Sequence, residues 1–89
     1  MFPQNNTDLG ASLYKTWSDK EKRDEIAKLV TGYRNGVPVG ILCKMTETIA
    51  GSQKLARKHL HALMTADERQ AAIAKESAAI QIIAKGFLE

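Results

Sequence analysis

The chain has 89 residues, of which 44% are hydrophobic and 26% charged, and its formal net charge at pH 7 is +3. This composition is ordinary for a globular fold and excludes a disordered chain, while the length suffices for one domain only. The positive charge is concentrated, because residues 37–64 contain four basic side chains and one acidic side chain. We therefore predict one helical domain over 1–89, with residues 1–6 flexible and the middle third basic.

Cellular location is predicted from what the sequence lacks. The first ten residues have neither the charged region nor the apolar region of a secretory signal, and no apolar run approaches the roughly 20 residues that span a bilayer. The single cysteine, Cys43, cannot form an internal disulfide. These features predict a soluble cytoplasmic protein without membrane contact. We expect Cys43 to be a small buried residue, because no base can be placed beside it.

Helical periodicity dominates the sequence and predicts an all-α fold, a small bundle of four to five helices. In residues 7–17, Leu9, Leu13 and Trp17 repeat every four residues and would share one helical face. The next helix, 19–34, has the most complete pattern. It begins with the capping box of Ser18 and Glu21 and ends before Gly36.

Residues 30–43 allow two interpretations. Pro38 and Gly51 suit the first turn and the end of a helix over 37–50. The pair Asn35-Gly36 is instead typical of a two-residue hairpin turn, which predicts a short β-hairpin over 30–43. We favour the helix, because an isolated hairpin is only marginally stable in water.

Two further helices are predicted after Gly51, over 53–64 with Ser52 as its cap and over 66–87 with a capping box at its start. The second contains the triplet Ala-Ala-Ile twice, seven residues apart. This spacing predicts an apolar seam of coiled-coil type along 66–87, suited to self-association or to binding another protein. The residues of the seam are Ile73, Ile80, Ile83 and Phe87.

The helix 53–64 is amphipathic, and its polar face is basic. Its short, glycine-containing connection to the preceding helix is compatible with a helix-turn-helix, in which the second helix contacts nucleic acid. In that arrangement Arg57 and Lys58 would meet phosphates, and Gln53 and Lys54 would reach base edges. A solvated face without function is the alternative interpretation. The candidate nucleic-acid or phosphate residues are Gln53, Lys54, Arg57, Lys58 and His61.

Catalytic, metal and cofactor sites are not expected. His59 and His61 are two positions apart on a helix and would point about 200° away from each other, so they cannot hold one metal ion together. His59 falls on the apolar face and is expected to be a hydrogen-bonded core histidine. No carboxylate pair is placed for acid–base chemistry. We therefore predict a protein that is not an enzyme and has no cofactor.

The sequence supports two functional hypotheses. The first is a regulatory or interaction module that forms a homo-oligomer through helix 66–87 and binds another macromolecule. The second is a helix-turn-helix regulator that binds nucleic acid, or a phosphorylated ligand, through the basic face of helix 53–64.

Overall fold

A computed structural model describes residues 13–89, and its regular secondary structure is entirely helical in this range. Five helices follow one another within residues 13–89, so the predicted all-α bundle is confirmed. The expectations for residues 1–6 and for most of the helix 7–17 concern residues outside the described range. The helices are α1 (Asp19–Arg34), α2 (Val39–Ala50), α3 (Gln53–Leu63), α4 (Ala66–Ala74) and α5 (Ala78–Leu88).

Both ends of α1 are closed by local hydrogen bonds. The Ser18 hydroxyl accepts from the backbone N–H of Glu21 at 3.1 Å, and the Glu21 carboxylate accepts from the backbone N–H of Ser18 at 3.0 Å. At the other end, Gly36 takes a φ of +115°, and the N–H of Val37 donates to the carbonyl of Gly32 at 3.1 Å. This Schellman motif requires a left-handed residue after the helix, which glycine adopts without strain.

The alternative hairpin over 30–43 does not form. Residues 30–34 belong to α1, and the Asn35-Gly36 pair ends that helix instead of reversing a strand. Helix α2 begins at Val39, two residues later than predicted, with Pro38 at its N-cap. Packing explains the outcome, because Val30 and Val39 are both buried where α1 and α2 pack against each other.

The connection between α2 and α3 consists of Gly51 and Ser52 alone. Gly51 has a φ of +97°, and its N–H donates to the carbonyl of Glu47 at 2.8 Å. The Ser52 hydroxyl then accepts from the backbone N–H of Leu55 at 3.2 Å and caps α3. Two consecutive helices are thereby joined by a tight turn, as the sequence predicted.

The single helix predicted over 66–87 is wrong. The chain leaves the helical path after Ala74 and resumes it at Ala78, with Ser77 in an extended conformation at the N-cap of α5. This break lets α5 pack on α2, α3 and α4, and it buries Phe87 and Leu88. The burial of these two large side chains outweighs the local preference for a continuous helix.

The core is one cluster of apolar side chains from all five helices. Its fully buried members include Ile26, Leu42, Leu60 and Leu88. Arg69 of α4 connects the ends of α3 and α5, because it donates to the carbonyl of Met64 at 2.7 Å and to the carbonyl of Leu88 at 3.0 Å. These carbonyls end α3 and α5, where a cation is favourable. None of the helices within residues 13–89 is long and apolar enough to cross a membrane.

Candidate functional site

Helix α3 lies between the core and solvent, and its two faces differ sharply. Ala56, His59 and Leu60 are buried against α1, α2 and α5. The opposite face carries Lys54 and, one turn further along, Arg57 and Lys58, all of them exposed. Because a helix repeats every 3.6 residues, these positions alternate with the buried ones and hold the basic side chains on one side.

The basic side of α3 forms a shallow surface depression of about 510 Å³. Four of the five residues predicted as the nucleic-acid or phosphate site line it, together with the apolar side chain of Leu55. We call this surface the basic depression; it is lined by Lys54, Leu55, Arg57, Lys58 and His61.

The three lysine and arginine side chains of the basic depression form no ion pair with another side chain of residues 13–89. The sequence has no acidic residue between Glu47 and Asp67. Among residues 13–89 the ion pairs are formed elsewhere, and none includes Lys54, Arg57 or Lys58. Three positive charges therefore face solvent over a short distance and favour an anionic partner. The ion pairs are Lys20–Asp24, Lys28–Glu25, Arg34–Glu68 and Lys44–Glu47.

Gln53 does not join the other predicted site residues. Its side-chain amide donates to the backbone carbonyl of Gly86 at 2.9 Å, which links the first turn of α3 to the last turn of α5. The two elements approach so closely that a Cβ atom on Gly86 would lie 2.5 Å from the Gln53 amide nitrogen. Gln53 is therefore a structural contact, and sequence spacing gave no sign of its partner 33 positions away.

His61 is the least exposed residue of the basic depression. Its Nε2 atom is buried and has no hydrogen-bond partner within the described part of the chain. Burial lowers the pKa of His61, and the positive charges of Arg69 and Arg57 lower it further. The imidazole is therefore neutral at pH 7, and an anion bound nearby would favour its protonated form.

His59 has the structural role that the sequence predicted. Its side chain is buried, and its Nδ1 atom accepts a 3.1 Å hydrogen bond from Arg23 of α1. Burial lowers the pKa of His59, and the neighbouring Arg23 charge adds to this effect. The prediction that His59 and His61 face different surroundings is confirmed, since His61 lies in the basic depression.

The predicted apolar seam is divided between the core and the surface. Ile73 and Phe87 are buried, Ile80 is half-buried against the core, and Ile83 is 52% exposed. Sequence reasoning missed Ile82, which is 75% exposed. The break after Ala74 changes the helical phase assumed for the seam. The spacing of Ala84, Phe87 and Leu88 would have placed Ile82 on the outer face of α5.

Cys43 lies in the core, where its thiol is held in the protonated form. Cys43 is buried, and desolvation raises the pKa of its thiol to about 11, so the reactive thiolate is scarce at neutral pH. Within residues 13–89, no three side chains of histidine, cysteine, aspartate or glutamate come close enough to hold a metal ion.

Comparison with known proteins gives no match: no family, no curated protein and no solved structure corresponds to this chain.

Proposed function

We propose that the protein is a non-enzymatic binding module that contacts the phosphates of double-stranded nucleic acid through the basic depression on α3. One observation carries the proposal: Lys54, Arg57 and Lys58 share one exposed face and form no ion pair among residues 13–89. Unpaired lysine and arginine side chains bind phosphates by releasing the counterions that surround nucleic acid.

The arrangement of α2 and α3 supports this proposal. A helix-turn-helix presents its second helix at the surface and braces it with the first. Here α2 packs against α3, Leu42 and Ile49 of α2 are buried in the shared core, and only Gly51 and Ser52 separate the two helices. The basic depression lies on the side of α3 that faces away from this packing, where a duplex has access to it.

Fluorescence anisotropy with a labelled mixed-sequence duplex at low salt tests the proposal. We expect the wild-type protein to bind, and a variant with Lys54→Gln, Arg57→Gln and Lys58→Gln to lose about tenfold or more in affinity. The matched control replaces Lys15, Lys20 and Lys28 by glutamine. These lysines are exposed and lie outside α3, and their replacement removes the same three positive charges. Equal losses in the two variants would refute a site on α3.

Self-association through α5 is a second candidate function, favoured by the exposure of Ile82 and Ile83. The outer face of α5 also includes the exposed Ala78 and Ala79, and the helix has a single charged residue, Lys85. Lys85 is exposed one turn beyond Ile82, so the face carries one charge, and a second copy of the same face would desolvate little charge. The surface differs from the predicted seam, since it excludes Ile73 and Phe87.

Light scattering at increasing protein concentration distinguishes a dimer from a monomer. If α5 mediates association, Ile82→Glu lowers the mass to that of a monomer. Ile41→Glu, on the exposed part of α2, leaves it unchanged. A monomeric wild-type protein at the highest concentration would eliminate this second function.

A further inference from the structure

A groove of about 490 Å³ lies between α2 and α5 and shares no residue with the basic depression. Ile83 and Phe87 of α5 line it on one side, and Gly40 and Cys43 of α2 line it on the other. Gly40 leaves this side open, because a Cβ atom at that position would meet no neighbouring group within 4 Å. An apolar groove between two helices is a surface that can receive a third helix.

The groove lies beside the exposed isoleucines of α5. Ile83 forms part of its wall, and Ile82, the preceding residue, is also exposed. Each copy of the chain therefore carries an apolar groove and, next to it, a helix with an apolar side chain in solvent. Two such surfaces are self-complementary, because a twofold axis lets α5 of each copy occupy the groove of the other at the same time.

Charge complementarity favours a second copy as the occupant. Lys85 is the single charged residue of α5, and Glu47 supplies the carboxylate of the groove. Glu47 contacts Lys44 at 3.5 Å, but the lysine side chain of this pair is exposed, and such pairs contribute little to stability. The flexible stem of Lys44 keeps its charge in solvent when another helix approaches. Glu47 can therefore accept Lys85 of a second copy.

The spacing of these residues defines one register for α5 in the groove. Gly40 precedes Glu47 by seven residues, and Ala78 precedes Lys85 by the same number, so both pairs span about 10 Å of helix. With the two helices parallel, Lys85 lies opposite Glu47 and the small Ala78 lies opposite Gly40. Ile82 then lies one turn before the charged pair, within the groove. Small residues at the crossing allow the two helices to approach closely.

We infer that two copies of the chain form a twofold dimer in which α5 of each copy lies in the groove between α2 and α5 of the other. This inference rests on the self-association proposed above as the second function, and it adds the surface that receives α5. Ile41 lies about 100° further around α2 than Gly40 and stays outside the contact.

Sedimentation equilibrium of the full chain measures the dissociation constant of the dimer. We expect Gly40→Leu to raise this constant about tenfold or more, because the leucine fills the space that α5 of the second copy needs. The space around Gly40 accepts the new side chain within one copy, so the helix content measured by circular dichroism should not fall. Ala62→Leu is the matched control, since it adds an exposed leucine on α3, outside the groove, and should leave the constant unchanged.

A charge exchange tests the register independently. Glu47→Lys should raise the dissociation constant about fivefold at low salt, because it replaces an ion pair by two like charges. Adding Lys85→Glu to this variant should restore the constant to within about twofold of the wild-type value. A dimer that Gly40→Leu leaves intact, or a Glu47→Lys variant that Lys85→Glu does not restore, would overturn the inference and leave self-association through α5 standing. A wild-type protein that stays monomeric at the highest concentration would remove both.

Discussion

Arg23 of α1 donates a 3.1 Å hydrogen bond from its Nε atom to Nδ1 of His59 in α3, and this bond requires a neutral imidazole. A protonated imidazole has no free lone pair to accept the bond, and it would add a second positive charge next to the guanidinium. The contact joins α1 to the buried face of α3, the helix that carries the basic depression on its other face. The protonation state of His59 therefore affects the stability of the whole bundle.

The first prediction concerns the pH dependence of stability. Burial lowers the pKa of His59 below its ordinary value of about 6.5, so the unfolded chain binds the proton more readily than the folded one. The free energy of unfolding therefore falls as the pH decreases below about 6.5, and it is independent of this group above that value. Thermal unfolding followed by circular dichroism across this range measures the effect.

The control for this prediction is His59→Gln, which cannot titrate. This variant should show a weaker dependence of Tm on pH. His61→Gln measures how much the second histidine contributes to the pH dependence of Tm, because the pKa of His61 is lowered as well. If Tm depended on pH in His59→Gln as it does in the wild-type protein, the protonation of His59 would not be the cause of that dependence.

The second prediction concerns the core beneath the basic depression. Leu60 is fully buried on α3, so Leu60→Ala removes apolar contacts and leaves a cavity. We expect a loss of about 2–5 kcal/mol in the free energy of unfolding, measured by chemical denaturation. Leu55→Ala is the matched control, because the same change at a 44% exposed position should cost about 1 kcal/mol or less.

The third prediction isolates the contact between Gln53 and Gly86. Alanine at position 86 improves helix propensity by about 1 kcal/mol, but its Cβ would displace the Gln53 amide. Gly86→Ala should therefore have little net effect in the wild-type chain, since the lost hydrogen bond contributes about 1 kcal/mol. In the Gln53→Ala background the same change should stabilise the protein. Equal effects in both backgrounds, measured as a double-mutant cycle, would contradict the coupling.

The fourth prediction links pH to binding at the basic depression. Burial and the charges of Arg69 and Arg57 lower the pKa of His61, so the imidazole is neutral at pH 7.5. A bound phosphate favours protonation, so affinity for duplex should rise as the pH falls below about 6.5 at constant salt. In His61→Gln the affinity should not change with pH over this range. Circular dichroism verifies at each pH that the protein stays folded.

The helices that carry their own caps could be predicted from the sequence. Ser18 and Glu21 identified the start of α1, and Ser52 identified the start of α3, because their hydrogen bonds lie within one turn of the chain. The basic side of α3 was predictable for the same reason, since helical periodicity alone gathers Lys54 and Arg57 on one face.

Features that depend on distant packing could not be predicted. The break before Ala78 follows from the space that α5 fills against α2 and α3, which no local pattern encodes. Gln53 was grouped with the basic residues because its partner, Gly86, lies 33 positions along the chain. The burial of Phe87 likewise depends on that break. The break therefore also determines which apolar residues α5 exposes.

NMR, which locates the bound duplex on the protein, is the most direct test of phosphate binding by α3. Backbone amide shifts of the labelled protein, titrated with a short mixed-sequence duplex at low salt, identify the contacted residues. We expect the largest changes across 54–61, with small changes on the outer faces of α1 and α5. Saturable binding that shifts other helices and leaves 54–61 unaffected would contradict it, as would the absence of any shift.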